Sequence, residues 1–492
     1  VKDKVIIFGA GNYGKSAYDY YGSERVLFFA DNNQEKIGKL YCKKKIEPFE
    51  RLESVVKENP EVWVVVACTY TKEICIQLEN AGIYGYSCFS PSMPHMMLRL
   101  KERIQDENFK EIYLCGIGYE TNDIYCAIEE LGYHGRIQGI ITGKYDLPVT
   151  LNINKVEKVD KHKEVCIIVS SITNHLAMRA WLKMEYPFAN VIDPFKQIAY
   201  YDTNDIVINP YENKTEDVSE GEWIKATNGS LNKTEIWEYV KTVKDHVPLF
   251  EYVEIETINR CNGSCSFCPV NRKLDPRIET RMERELFNKI INELSALNYS
   301  GELSLFSNNE PLLDERIVEL HKYAREKLPH TRIHMFTNGT LFTMELFVKL
   351  IPYLDELIID NYQQNLQLIK PVKEIKDYVE THDELRKKVT IVLRKPNEIL
   401  TSRGGDAPNR EEMVSYKEES CALPFEQLII RPDGKVSLCC NDPLGKNTLG
   451  DVAENTLEEV WYNPKFAMVR KCLAEGRGNW KHCEYCDTFY LY

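Results

Sequence analysis

Strand-sized apolar runs punctuate the chain from its start. Residues 4–8, 26–30, 62–68, 111–115 and 164–171 are rich in Val, Ile and Phe, and the first of them leads into an apparent helix over 15–21. The order then repeats: Gly9 recurs as Gly116, 107 positions on, and Val62 as Val165, 103 positions on. Residues 1–100 and 101–200 are therefore expected to be tandem copies of one small α/β unit. Residues 201–248 are polar and Asn- and Lys-rich, with one helical stretch whose Ile236, Tyr239, Val240 and Val243 share a face; they read as a linker with a docking helix. From Tyr252 the alternation resumes. Runs at 252–258, 302–306, 332–336, 356–359 and 389–393 are separated by helical stretches, the pattern of a partial parallel (β/α) barrel over 249–412. In such barrels ligands sit where the strands end at their carboxyl side. A small cysteine-rich extension, 413–492, closes the chain.

Composition narrows the function. The 492 residues are 43% hydrophobic, yet the longest apolar runs fall well short of the ~20 residues of a membrane helix. The first residues lack a signal-peptide pattern, so the expected location is the cytoplasm, with no membrane partner. A net charge of −13 argues against nucleic acid as a partner, since phosphate affinity comes from clustered Lys and Arg. Of the 16 cysteines, Cys42, Cys68, Cys75, Cys88, Cys115, Cys126 and Cys166 read as core or surface residues. The informative spacings all follow residue 260.

Gly9, Gly11 and Gly14 form a GxGxxG turn after the first strand, and Asp31 ends the second strand ~20 residues on, as in a dinucleotide-binding Rossmann fold. A bound nucleotide or nucleotide sugar, and a glycine turn kept for packing alone, both remain open readings. The second copy has Thr121 in place of the third glycine and Thr142 in place of the acid, so the first is the better nucleotide candidate. These Rossmann-like units resemble modules that accompany bacterial sugar C-methyltransferases and sugar acyltransferases. The resemblance implies a sugar or nucleotide sugar as the small-molecule substrate.

Cys261, Cys265 and Cys268 place three thiols at CxxxCxxC spacing on a loop after a strand. Such a loop can hold three irons of a 4Fe-4S cluster and leave the fourth open; a structural zinc loop and three unrelated thiols are the alternatives. With Phe267 before the third cysteine, the motif resembles the radical S-adenosylmethionine (radical SAM) superfamily. That resemblance implies that SAM binds the open iron and is cleaved to a 5'-deoxyadenosyl radical, with reducing equivalents from a low-potential donor such as flavodoxin or ferredoxin. Ser307-Asn-Asn-Glu310-Pro311 stands where the family shows Gly-Gly-Glu-Pro, so Glu310 is expected at the SAM amino group, with Asn309 beside it. Asn338 falls at the family's ribose-contacting position. Asp360, Arg394 and Arg403 follow later strands, and the two arginines are candidates to bind or deprotonate substrate.

Cys421, Cys439, Cys483 and Cys486 resemble the SPASM and twitch extensions of the superfamily, and four ligands fill one auxiliary 4Fe-4S cluster; a zinc ribbon is the alternative. Cys440 and Cys472 are left over, as alternate ligand, inert neighbour or hydrogen-atom donor. The expected reaction is oxidation of an alcohol on a carbohydrate-like substrate, with the auxiliary cluster taking an electron. A sugar epimerase using Cys440 or Cys472, a peptide maturase and a non-catalytic nucleotide-sugar binding or scaffold protein are the alternatives.

Overall fold

The computed structural model describes residues 4–68, 71–89, 96–97, 100–101, 103–104, 109–118, 120–133, 135–141, 155–156, 159–162, 164–196, 205–212, 233–410 and 413–489. Thr142 and much of the expected linker, 213–232, lie outside them. The chain forms two compact units, residues 1–198 and 199–492.

The front unit holds two sheets. In the first, β1 (Val5–Phe8), β2 (Val26–Ala30), β3 (Leu40–Tyr41), β4 (Lys44–Glu47), β5 (Trp63–Val66) and β6 (Tyr86–Cys88) run in the order 3-4-2-1-5-6. In the second, β7 (Ile112–Cys115), β8 (Ile137–Ile141), β9 (Lys155–Val156), β10 (Cys166–Val169) and β11 (Asn190–Ile192) run in the order 11-10-7-8-9. The parallel cores match strand for strand: 4-2-1-5-6 in one is 9-8-7-10-11 in the other. The sequence repeat is thus a topological one. All four residues of β1 are buried, as a strand covered on both faces requires. After it, Gly9 has φ +116° and a Cβ there would stand 2.4 Å from the Ala67 carbonyl oxygen, so the turn needs glycine.

The second unit is built on one nine-stranded sheet. β12 (Val207–Ile208), β13 (Tyr252–Ile255), β14 (Glu302–Ser304), β15 (Arg332–Thr337), β16 (Glu356–Tyr362), β17 (Val389–Arg394), β18 (Gln427–Ile430), β19 (Lys435–Ser437) and β20 (Thr448–Asp451) lie in the order 12-17-16-15-14-13-18-19-20. β13 to β17 are mutually parallel, and helices Arg284–Ala296, Ile317–Lys327, Met344–Leu350 and Lys370–Glu380 alternate with them. Val253, Ile255, Leu303, Ile333, Met335, Leu357, Ile359, Val389 and Ile391 join the main apolar core. The alternate positions face the other way and are largely polar: Glu254, Glu256, Ser304, His334, Asp360 and Arg394.

Two elements extend this sheet beyond the expected barrel. β12, from the stretch read as linker, pairs with Ile391 and Val392 and so covers the edge of β17. β18, from the cysteine-rich extension, pairs in parallel with β13 from Tyr252 to Ile255, and β19 and β20 continue antiparallel. The two cysteine regions therefore stand on one continuous sheet.

Candidate active site

A cleft of about 720 Å³ opens at the carboxyl ends of β13 to β16. It is lined by Cys261, Cys265 and Cys268 with Phe267, by Asn309 and Glu310, by Asn338, and by Asp360 and Arg403. The cysteine loop is pinned by its backbone. Asn271 donates from Nδ2 to the carbonyls of Cys265 at 3.1 Å and Cys268 at 2.8 Å, and the Ser266 N–H reaches the Pro396 carbonyl at 2.8 Å. The position a Gly263 side chain would occupy lies 3.3 Å from Cys261 Sγ and 3.9 Å from Cys265 Sγ, so the two sulfurs flank one small open space. Burial pushes both thiols up to about 12, which means that iron must displace protons on binding.

Glu310 is buried beneath this loop. Its carboxylate accepts from Thr337 Oγ1 at 2.6 Å, from the Asn338 N–H at 2.8 Å and from the Leu312 N–H at 3.1 Å. Desolvation outweighs these bonds and pushes its pKa up to about 7. Asn338 ties two loops together, donating to Asn262 Oδ1 at 2.7 Å while its own oxygen accepts from Thr340. Asn309 is more open. Its oxygen accepts from the Ser307 N–H at 3.0 Å, but its buried amide nitrogen has no partner among the described residues, a donor left over at the cleft wall.

Asn308, one of two asparagines where the family shows glycine, is a junction. Its N–H donates to Glu256 at 2.8 Å, its Nδ2 to the Cys440 carbonyl at 3.0 Å, and its Oδ1 accepts from Arg403 at 3.2 Å. Arg277, which the sequence does not flag, holds Glu256 at 3.2 Å and the Asn308 carbonyl at 3.1 Å. Arg403 and Gly404 take left-handed φ values of 51° and 64°, and the loop is fastened by Ser402, whose N–H bonds Asp487 and whose hydroxyl bonds the Tyr485 carbonyl, both at 2.7 Å. Arg394 does not line the cleft. It is buried behind Asp360, 3.7 Å from that carboxylate and 3.3 Å from Glu398. Burial raises the Asp360 pKa, with Arg394 opposing and Glu398 reinforcing the rise.

Cys421, Cys439, Cys483 and Cys486 are each 6% exposed and line one small cavity together with Arg477 and His482. Arg477 is only 1% exposed. It donates to the carbonyls of Ser420 at 3.2 Å, Thr488 at 2.6 Å and Cys486, and stacks on Phe489 at 4.3 Å. A buried cation beside four thiols fits an anionic cluster, since the charge it brings is otherwise costly to bury. Burial raises the Cys439 and Cys483 thiols far above their ordinary range.

The leftover cysteines sit elsewhere. Cys440 is buried and Cys472 partly so in helix Pro464–Glu475, and neither lines the cleft. In the front unit the Asp31 carboxylate is occupied: Oδ2 accepts from the Ala10 N–H at 3.0 Å and from Lys36 at 2.9 Å, and Oδ1 from the Asn33 N–H at 2.9 Å. Against desolvation, these bonds hold its pKa below the usual value. Gly11 has open space around it, and Gly14 packs against the Gly9 carbonyl.

Residues 255–373 match the model of the Radical SAM superfamily, and residues 421–487 match SPASM, an iron-sulfur cluster-binding domain. The chain is 28% identical over 244 residues to the S-adenosyl-L-methionine-dependent 2-deoxy-scyllo-inosamine dehydrogenase of Niallia circulans, covering 49% of this chain and 94% of that protein. It is 32% identical over 95 residues to the redox-sensing transcriptional repressor Rex of Carboxydothermus hydrogenoformans, covering 18% of this chain and 46% of the repressor. Among solved structures, that of BtrN in complex with AdoMet and 2-DOIA aligns with TM-score 0.43 at 25% identity, covering 49% of this chain and 94% of that one.

Proposed function

From the premise that this chain carries a radical SAM domain followed by a SPASM iron-sulfur cluster-binding domain, we propose that it oxidises a secondary alcohol of a carbohydrate-like small molecule to a ketone. The observation that carries this reading is the closed second thiol set: four buried cysteines around one cavity, faced by the buried Arg477, leave no ligand position open to substrate. A closed cluster handles electrons, and removal of an electron is what turns hydrogen abstraction into net oxidation. When bound, SAM on the first cluster supplies a 5'-deoxyadenosyl radical that takes a hydrogen atom from carbon, and the second cluster supplies an acceptor for one electron.

The protein's own residues bind and orient. Cys261, Cys265 and Cys268 hold the first cluster, and Cys421, Cys439, Cys483 and Cys486 hold the second. Glu310 offers a carboxylate, and Asn309 a spare N–H, to the amino and carboxylate ends of SAM. Asn338 stands beside them at the expected ribose position, and Phe267, 5.9 Å from the Tyr362 ring, closes the apolar side. Asp360 and Arg403 present an acceptor and a donor to substrate hydroxyls, with Arg394 holding Asp360 in place. This reading gives neither Cys440 nor Cys472 a hydrogen-donor role, since both lie off the cleft lining. A free or nucleotide-linked amino sugar or cyclitol is the substrate class, the reductant is a flavodoxin or ferredoxin, and the front unit, taken by itself, is a candidate nucleotide-binding unit.

The test is a Cys483→Ala, Cys486→Ala variant prepared without oxygen. It should lose about four irons, keep forming 5'-deoxyadenosine and make little ketone. A variant that lacks the second cluster by Mössbauer spectroscopy and still makes ketone in step with deoxyadenosine would end the electron-acceptor role.

A further inference from the structure

Two asparagines stand where the superfamily motif shows two glycines, and the first of them, Asn308, has every hydrogen-bonding group engaged. Its backbone N–H donates to Glu256 at 2.8 Å and its carbonyl accepts from Arg277 at 3.1 Å. Its side-chain nitrogen donates to the Cys440 carbonyl at 3.0 Å and to Ser307 Oγ at 3.2 Å, while its side-chain oxygen accepts from Arg403 at 3.2 Å. The amide has one possible orientation here, because a backbone carbonyl only accepts and a guanidinium only donates. Asn308 is 7% exposed and lines the cleft, as does Arg403, so the guanidinium is held from the cleft wall itself.

Arg403 needs such a hold. Its φ of 51° is a left-handed conformation that a non-glycine residue adopts when its surroundings impose it. Ser402 fixes the loop from behind, through Asp487 and the Tyr485 carbonyl, but those bonds set the backbone and leave the long side chain to be placed. The same loop packs on the segment that follows Cys439: a Cβ on Gly404 would stand 3.0 Å from the Asn441 carbonyl oxygen. Asn308 reaches both, the guanidinium with one arm of its amide and the Cys440 carbonyl with the other. A glycine at 308 would offer neither bond.

We propose that Asn308 is a positioning residue for substrate, seating the Arg403 guanidinium in the cleft and keying that seat to the segment that carries Cys439. The inference rests on the dehydrogenase reading above, in which Arg403 donates to a substrate hydroxyl. An arginine side chain has much rotamer freedom to lose, and fixing it before substrate arrives removes that cost from binding. The bond that fixes it is charge-assisted, so its loss is felt. Since Asn308 acts through Arg403, its effect on binding must vanish once Arg403 is gone.

The experiment uses the full chain with both clusters, prepared without oxygen and loaded with SAM, and a panel of amino sugars, cyclitols and nucleotide sugars that includes 2-deoxy-scyllo-inosamine. Calorimetry without reductant reads binding apart from turnover. Asn308→Gly should weaken binding of the panel member that wild type takes up by about tenfold or more, and raise its KM by a similar factor with kcat within about threefold. Added to Arg403→Ala, the same change should alter binding less than about twofold. Asn308→Asp keeps an oxygen for Arg403 and should bind within about threefold of wild type. Losses that multiply in the double variant would overturn the proposal, as would Asn308→Asp binding as weakly as Asn308→Gly. Loss of iron in both Asn308 variants would make the residue part of the cluster scaffold and also overturn it. Wild-type binding without ketone formation would end the dehydrogenase reading alone, with the double variant still deciding on Asn308. Wild type that binds nothing in the panel would end both.

Discussion

Glu310 shows how one residue can trade stability for function. It is a carboxylate 2% exposed, hydrogen-bonded by three protein donors, whose pKa desolvation still lifts to about 7. An arriving ammonium group would bond the ionised form and pull that pKa down, so binding and ionisation are linked. SAM affinity should therefore fall as pH drops through ~7, and Glu310→Gln should bind SAM at least tenfold more weakly at pH 8, a difference isothermal titration would read. Stability runs the opposite way. A carboxyl whose folded pKa exceeds its unfolded value of about 4.5 favours the fold at low pH and loses that contribution as pH rises from ~4.5 to ~7. Glu310→Gln should then unfold at a higher temperature than wild type at pH 8 and show no such gain at pH 5, on the order of a few kcal/mol between the two pH values. A melting temperature lowered at both pH values would refute the trade. The two sets of cysteines and Glu310 could be singled out in the sequence because they stand in short runs or spacings that resemble known motifs. Arg277 and Arg477 could not, because a lone charged residue shows its partners only after folding.

Elements carry what single residues cannot, and here the loop after β17 is the clearest case. Ser402 hydrogen-bonds Asp487 and the Tyr485 carbonyl, Arg410 pairs with Asp487, and a side chain on Gly404 would collide with His482 at 2.4 Å. The loop that presents Arg403 to the cleft is thereby fastened beside Cys486. Asp487→Ala removes two of these ties without touching a thiol. It should raise the substrate KM about tenfold or more while iron content stays at the wild-type value, because Arg403 is positioned rather than created by the loop. Loss of iron together with activity would show instead that Asp487 serves the cluster. The strands of the barrel were legible from their period, since their apolar phase faces the helices throughout. β12 was not: two residues inside a polar stretch have no period to read, and pairing with Ile391 and Val392 makes them a strand.

At the scale of the molecule, the sheet of the second unit is the fact that organises the rest. β18 lies beside β13, so the strand leading to Cys261 and the strand between Cys421 and Cys439 are hydrogen-bonded neighbours from Tyr252 to Ile255. The apolar core of this unit runs without a break from Ile206 to Cys483 and includes Trp461, Phe466 and Leu473 from the extension. Cutting the chain near residue 412 would strip a partner from β13 and expose that core, so barrel and extension should not survive apart. The front unit is a different matter. It has separate cores of its own, and 94% of the dehydrogenase from Niallia circulans aligns with 49% of this chain. A fragment of residues 199–492 should accordingly fold, bind about eight irons in two clusters and cleave SAM within a few-fold of the full chain. Iron and sulfide counts with 5'-deoxyadenosine yield would measure this. A fragment that precipitates or binds half the iron would make the front unit part of the scaffold. Full cluster content and SAM cleavage with ketone formation lost would make it a substrate-binding module, in line with the nucleotide reading of the glycine turn at Gly9 to Gly14 and against the reading that keeps the turn for packing alone.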